Sequence, residues 1–486
     1  MEVKSVVLKI GFDFYFDETP LFVEIANELI STDKVIISGV CGGKRWENIL
    51  RIPDIKTYNL ADYLRENWDK ITIDYSTLEE IENIYPKASM PGLWGFILAD
   101  RYIGDNKYEY VLKMLIGHIR FFEEYFEKEK PDVFIGPGAA SLFHLVIFSV
   151  TQRYHIPFLN LLPTRIPNER FVVIRNPKDS WEKVEKCYQQ LQKKGLTRQE
   201  REMAENFLVN FREEKTVPGY MKLTWQSTGF RIEFIKEFCH RLYNYYFKGV
   251  GREFYDYRNR NPFYYAFRNS YKIVWTKLLT LLNIFEQTVA DERFIFFPLH
   301  LQPEATTLIL APYYVDQIAL IENIAKSLPL THKLYVKEHI SCLGRRPFSY
   351  YRRIMALPNV RLISPYASSH TLINQADVMI VITSTVGWEA ILYEKPVIVF
   401  GDVFYNASGL VYKINNLEDL SHIIKEAINN FQPNRERLLQ YLIAIFNGTY
   451  EGVFNVPLHD KTVMSKENIK KLAKGILIDI MEQKCY

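Results

Sequence analysis

DVMIVITSTVGWEAILYEKPVIVFGD, residues 377–402, is the stretch whose reading decides the fold. Val378 to Ile382 is a continuous apolar run rich in β-branched residues, the mark of a strand buried on both faces. Ser384 and Thr385 break it with hydroxyls. Gly387 to Tyr393 reads as a short helix, Lys395-Pro396 ends it, and Val397 to Phe400 is the next buried run. In such a βαβ unit the turn lies at the carboxyl end of the sheet, where open α/β sheets bind ligands. The helix directs its free N–H groups and positive dipole end at that spot, which suits an anion. Ser and Thr are also ordinary helix caps. A capping box would need Glu or Gln three residues after the cap, and those positions hold Gly387 and Trp388. Glu389 is therefore not spent on a box, and one turn beyond a phosphate it suits ribose hydroxyls.

Working outward, residues 291–430 read as one α/β domain. Strands are predicted at Phe294–Phe297, Lys333–Lys337 and Val360–Ile363, and helices at Tyr313–Leu328, Phe348–Ala356 and Ser369–Gln375. Three loops leave strand carboxyl ends. They are Pro298-Leu299-His300-Leu301-Gln302-Pro303-Glu304, then Lys337-Glu338-His339 with Gly344-Arg345-Arg346 behind it, then Ser384-Thr385-Val386-Gly387. In a parallel sheet these loops share a rim and converge. A histidine, a lysine, two hydroxyls and a helix start suit a phosphate or diphosphate. The expected ligand-binding set is Gln302, Lys337, Glu338, Arg345, Ser384, Thr385, Val386, Gly387 and Glu389, together with His339. A lone histidine is more often structural, and the convergence of three polar loops is what favours a site. His300 reads as a loop anchor. Gln302 and Glu304 either hold a sugar or cap the following helix.

Residues 1–177 carry a second α/β pattern. Ser5–Ile10 and Val35–Ser38 read as strands, residues 57–130 as mostly helical, and Pro131–Asn160 as strand, glycine turn, helix, strand. The turn Val40-Cys41-Gly42-Gly43-Lys44 matches no phosphate-binding motif. Residues 178–290 are helical in pattern and include a basic, aromatic stretch from Arg252 to Lys277. Such a stretch suits a helix pair packed on a domain, or an interface with a membrane or an acidic acceptor. Residues 431–486 read as helices expected to return to the first domain.

The chain of 486 residues is 48% hydrophobic and 24% charged, ordinary for a globular protein of two domains. A net charge of +3 is too small to imply nucleic acid. Five scattered cysteines without a CxxC or zinc spacing point to a reducing compartment and no structural metal. The N-terminus lacks a signal-peptide core, and no apolar run is long enough to span a bilayer. A cytoplasmic protein, peripheral on the cytoplasmic membrane face, is the expectation.

FIFFPLHLQPE, LYVKEH with GRRPFSYYRRIMALPNVRLISP, and VITSTVGWEAILYEKPVIVFGDVFYN together resemble the capsule polysaccharide biosynthesis family of bacterial glycosyltransferases. The resemblance covers about residues 290–430. It implies an α/β protein with two Rossmann-like domains facing a cleft, of glycosyltransferase B type, with a helical insertion. In related sialyl- and Kdo-transferases a His-Pro loop and a Ser/Thr loop hold the CMP of the donor. By that resemblance His339 and Ser384/Thr385 would grip the nucleotide phosphate. Ile340 stands where the relatives have proline. The implied reaction moves a sugar from a nucleotide sugar, CMP-linked before UDP or GDP, to a surface or lipid-linked glycan, without a metal or other cofactor. The general base for an inverting reaction would come from Asp13, Glu18 or Glu169 in the first half, and Glu304 would serve a retaining one. The alternatives are a CDP-polyol phosphotransferase, a nucleotide-sugar epimerase and a non-catalytic nucleotide-sugar-binding subunit.

Overall fold

The β-branched runs pair as two separate, mostly parallel sheets in the computed structural model. The structure describes residues 7–31, 35–43, 45, 50, 54–103, 106–216, 232–252, 255, 261–457 and 460–484. Lys44, Arg258, Arg260, Cys485 and the start of the first predicted strand lie outside the described residues.

The chain divides into two compact units, each Rossmann-like. The first comprises residues 1–177, 231–266 and 449–486, and the second residues 178–230 and 267–448. In the first, β1 (Leu8–Asp13), β2 (Val35–Cys41), β3 (Ile55–Asn59), β4 (Val133–Pro137) and β5 (Phe158–Pro163) lie parallel in the order β3-β2-β1-β4-β5. β6 (Arg170–Ile174) extends that sheet antiparallel, and the two-residue strand Tyr450–Glu451 closes its edge.

The second sheet is parallel throughout. It contains β7 (Phe294–Pro298), β8 (Lys333–Lys337), β9 (Val360–Ile363), β10 (Val378–Val381), β11 (Val397–Val399) and the short β12 (Tyr412–Lys413). Their spatial order, β12-β11-β10-β7-β8-β9, is the doubly wound one that reverses direction between β7 and β10. Ile295, Leu334, Val378, Ile380 and Ile398 share a core with Ile321 and Ile324 of helix Gln317–Ser327 and Ile424 of helix Leu420–Asn429. Full burial of each such side chain contributes about 1.5–3 kcal/mol, so polar residues are pushed to the strand ends.

Residues 178–290 are not a separate insertion. Helices Glu182–Lys194 and Arg198–Glu214 belong to the second unit and helix Ile232–Phe247 to the first. The expectation that all of 431–486 returns to the first domain also needs correction. Helix Arg435–Gly448 stays with the second unit, where Gly448 packs so closely on Val184 that a Cβ would sit 2.7 Å from its backbone. Only residues 449–486 join the first unit, and their helix Lys466–Lys484 supplies Leu472 and Ile476 to its core. Ile55–Asn59, at the edge of the stretch read as helical, is the edge strand β3.

Candidate functional site: a polar pocket at the switch point of the second sheet

A small, solvent-open pocket lies at the carboxyl rim of the second sheet. Each wall is the residue pair or loop that follows a strand. Pro298 and Leu299 end or follow β7, and Lys337, Glu338, His339 and Ile340 end or follow β8. Pro365 and Ser369 follow β9. Ser384, Thr385, Val386 and Glu389 follow β10. The adjacent strands β7 and β10 are where the winding reverses, so their loops part and leave a crevice.

Ser384 caps helix Thr385–Leu392, and its Oγ accepts the Val386 N–H at 3.2 Å. That bond uses a lone pair and leaves the hydroxyl proton to donate. Gly387 is a packing residue rather than a lining one. A Cβ there would lie 2.4 Å from the Tyr405 hydroxyl, which donates to the Ser384 carbonyl at 2.7 Å and fixes the turn.

His339 is half-buried at the start of the 3-10 turn Ile340–Cys342. Its Nδ1 accepts the Ser341 N–H at 3.2 Å, which places the ring proton on Nε2. Burial first, then the cations Arg346, Lys337 and Arg345, push its pKa down to about 4, so the ring is a neutral N–H donor at pH 7. The turn is closed by the Cys342 N–H on the His339 carbonyl at 2.8 Å. Neither bond uses the N–H of Ile340, so this turn-opening position would also suit proline.

Lys337 is buried and donates from Nζ to Ser369 Oγ at 2.7 Å. Burial lowers its pKa to about 8 against the pull of Glu389. Glu389 is only 3% exposed, and burial raises its carboxyl to about 8 against the pull of Lys337. At pH 7 this pair therefore presents an ammonium beside a protonated carboxyl. Perturbed groups of this kind concentrate at functional sites.

Glu338 turns inward. Its carboxylate accepts from the Tyr351 hydroxyl at 2.8 Å and from its neighbour's N–H, that of His339, at 2.6 Å, and lies 3.2 Å from Arg346 Nε. Burial pushes its pKa up against the pull of Arg346. Arg346 also donates to the His300 carbonyl at 2.5 Å. Glu338 and Arg346 thus brace the His339 loop, with Glu338 at the pocket wall.

Seven of the expected residues meet in the pocket: Lys337, Glu338, His339, Ser384, Thr385, Val386 and Glu389. Others are placed elsewhere. Gln302 donates to the Val315 carbonyl at 2.5 Å and holds its own loop. Glu304 precedes helix Ala305–Leu308 and accepts from the Thr306 hydroxyl at 2.8 Å. Arg345 is exposed and outside the lining, while its neighbour Arg346 is the buried one. His300 anchors its loop, taking the Gln317 side chain on its N–H at 2.8 Å. In the first unit Asp13 is buried, with one oxygen on the Tyr15 N–H at 2.8 Å and the other 3.0 Å from His144 Nε2. Phe16 stacks on His144 at 4.2 Å. Asp13 is therefore walled in, whereas Glu169 is exposed in the turn between β5 and β6. The residues the sequence reading missed are Pro365 and Ser369. Their signal was present as ISPYASSH, residues 363–370, a fourth polar loop on the same rim.

The family model for capsule polysaccharide biosynthesis proteins matches residues 290–447, which contain every strand and loop of this pocket. That stretch, about a third of the chain, is similar to this family. The chain is 29% identical over 161 residues to Protein FixF of Sinorhizobium fredii, a match spanning 32% of this chain and 37% of that protein. Among solved structures, a β-Kdo 2,7-transferase, KpsC of Thermosulfurimonas dismutans, aligns over 76% of this chain and 98% of its own at 12% identity and a TM-score of 0.36. The UDP-GlcNAc 2-epimerase of Methanocaldococcus jannaschii aligns over 90% and 99% at 14% identity and a TM-score of 0.26.

Proposed function

We propose that the stretch 290–447 binds a nucleotide sugar by its phosphate and that the protein is a glycosyltransferase, moving the sugar to a surface or lipid-linked glycan. The single observation that supports this reading is the meeting of His339, Lys337 and the Ser384-capped helix start in one pocket at the switch point. The family match to capsule biosynthesis points the same way.

In this reading the leaving phosphate gains negative charge as the glycosidic bond to the sugar breaks. His339 Nε2–H, the Ser384 hydroxyl, the Lys337 ammonium and the N–H groups at the helix start stabilise that charge in place. They are held before the reaction by the Ser341, Tyr405 and Ser369 contacts, so little reorganisation is needed. Glu389, one turn along the same helix, receives the ribose hydroxyls. The acceptor's proton goes to a general base, and of the carboxylates considered for that role Glu169 is the exposed one. CMP is the favoured nucleotide, and protein groups rather than a metal ion carry the phosphate charge.

The test is nucleotide release from CMP-, UDP- and GDP-sugars by the purified protein, with the free nucleotides screened for thermal stabilisation in parallel. One donor is expected to turn over, and removing one phosphate donor group is expected to slow it roughly 10²–10³-fold. Binding without turnover would instead support a non-catalytic subunit. Neither binding nor turnover with any of the three would remove the proposal.

A further inference from the structure

Helix Pro262–Leu281 contributes residues 267–281 to the second unit. The inner face of this part is fully engaged. Leu279 is buried in the core, Trp275 Nε1 donates to the Arg346 carbonyl at 2.8 Å, and Gly344, at φ +77°, sits against Lys272 and Thr276. The outer face is not. Phe267, Tyr271, Val274, Leu278 and Leu281 recur at spacings of four and three, which puts them within an arc of about 80° on a helix. Phe267, Val274 and Leu281 are 73%, 66% and 82% exposed. An apolar stripe of this length on a surface marks an interaction site.

Charge decides what covers it. The whole helix, PFYYAFRNSYKIVWTKLLTL, contains Arg268, Lys272 and Lys277 and no acidic residue. Arg268 and Lys277 are exposed and flank the stripe on opposite sides. The same spacing would suit a second copy of this helix, but pairing two copies would set cation against cation. A surface of anionic lipid accepts both the apolar stripe and the flanking cations. Helix Ile232–Phe247, although aromatic, offsets Lys236 and Arg241 with Glu233 and Glu237 and lacks this bias.

We propose that the outer face of helix Pro262–Leu281 lies on a membrane surface rich in anionic lipid, with Phe267, Val274 and Leu281 in the interface and Arg268 and Lys277 at the headgroups. The inner face of the same helix holds Arg346, and through it the His339 loop, so the docked element is linked by direct contacts to the pocket wall.

The test is co-sedimentation of the full chain with vesicles of phosphatidylcholine alone or with one-third phosphatidylglycerol. The wild type is expected to bind the anionic vesicles roughly tenfold better, with the advantage lost in high salt. The double change Val274→Glu and Leu281→Glu is expected to abolish binding. Arg268→Gln and Lys277→Gln should each weaken it roughly fivefold. All variants should keep the wild-type circular dichroism spectrum and nucleotide affinity, since none touches the pocket. No vesicle binding, or unchanged binding by the Glu variant, would overturn the proposal. So would a dimer that Val274→Glu disrupts in a protein that ignores vesicles, which would make the face a contact between copies.

Discussion

Glu389→Gln should make the unliganded protein more stable at neutral pH while weakening its grip on a nucleotide. The carboxyl is 3% exposed, and burial raises its pKa from 4.5 to about 8 despite the attraction of Lys337. An acid whose folded pKa lies above the unfolded one costs stability as pH rises. Below pH 4.5 both states are protonated and nothing is lost. Between 4.5 and about 8 the unfolded chain releases its proton and the folded one keeps it. The cost grows by about 1.4 kcal/mol per pH unit, to roughly 3 kcal/mol at pH 7. Glutamine has nearly the same shape and no proton to lose. The pull of Lys337 is already contained in that pKa, so the gain on replacing Glu389 stays at roughly 3 kcal/mol at pH 7. Urea unfolding at pH 4.5 and pH 7.5 reads this directly, because the two proteins should coincide at the lower pH and separate at the higher. A variant no more stable than wild type at pH 7.5 would refute the burial argument. A variant with unchanged nucleotide affinity would refute the ribose assignment.

Further expectations concern the same pocket. His339→Ala should lower turnover roughly 10²-fold or more with the fold intact, because it deletes a neutral N–H donor aimed at the leaving phosphate; equal rates would remove His339 from the mechanism. Affinity for UDP or GDP should fall as pH rises through about 8, where Lys337 loses the charge that burial already weakens. The profile should flatten in Lys337→Met, and a wild-type profile level from pH 7 to 9.5 would contradict the assignment. Gly387→Ala should destabilise by about 1–3 kcal/mol, since its Cβ would meet the Tyr405 hydroxyl at 2.4 Å and Val381 at 2.9 Å; chemical denaturation measures this. Excess EDTA is expected to leave donor turnover unchanged, and its abolition would show that a metal ion, not protein groups, carries the phosphate charge.

The second sheet was legible because a strand buried on both faces must be apolar throughout. Runs such as FIFF at 294–297 and VMIV at 378–381 have no other use. Once the sheet is parallel, its carboxyl-end loops are forced onto one rim, and the pocket follows. What the sequence hides is side-chain direction within those loops. Gln302 and Glu304 have the chemistry of ligand-binding groups, but their polar atoms are satisfied by the Val315 carbonyl and the Thr306 hydroxyl of their own loop. Arg345 and Arg346 are equivalent on paper, and only packing against Glu338 separates them. Ser369 read as no more than the first residue of the predicted helix Ser369–Gln375, and only the structure shows Lys337 donating to it.

Domain membership was less legible for a similar reason. An amphipathic pattern tells a helix to bury one face and is silent on which body receives it. Helices Glu182–Lys194 and Arg435–Gly448, far apart in sequence, associate through the close approach of Gly448 to Val184 and through Tyr188 against Tyr441 at 5.1 Å. The edge strand β3, IKTYN, buries little of its surface, so it lacks the apolar run that betrays the central strands.

The central claim is that the rim of the second sheet holds a nucleotide's phosphate. A crystal structure of the protein soaked with CMP, or with whichever nucleotide raises its melting temperature most, tests it directly. We expect a phosphate oxygen within hydrogen-bonding reach of His339 Nε2 and Ser384 Oγ, and the ribose beside Glu389. A nucleotide bound elsewhere on the chain, with this pocket filled only by water, would contradict the assignment.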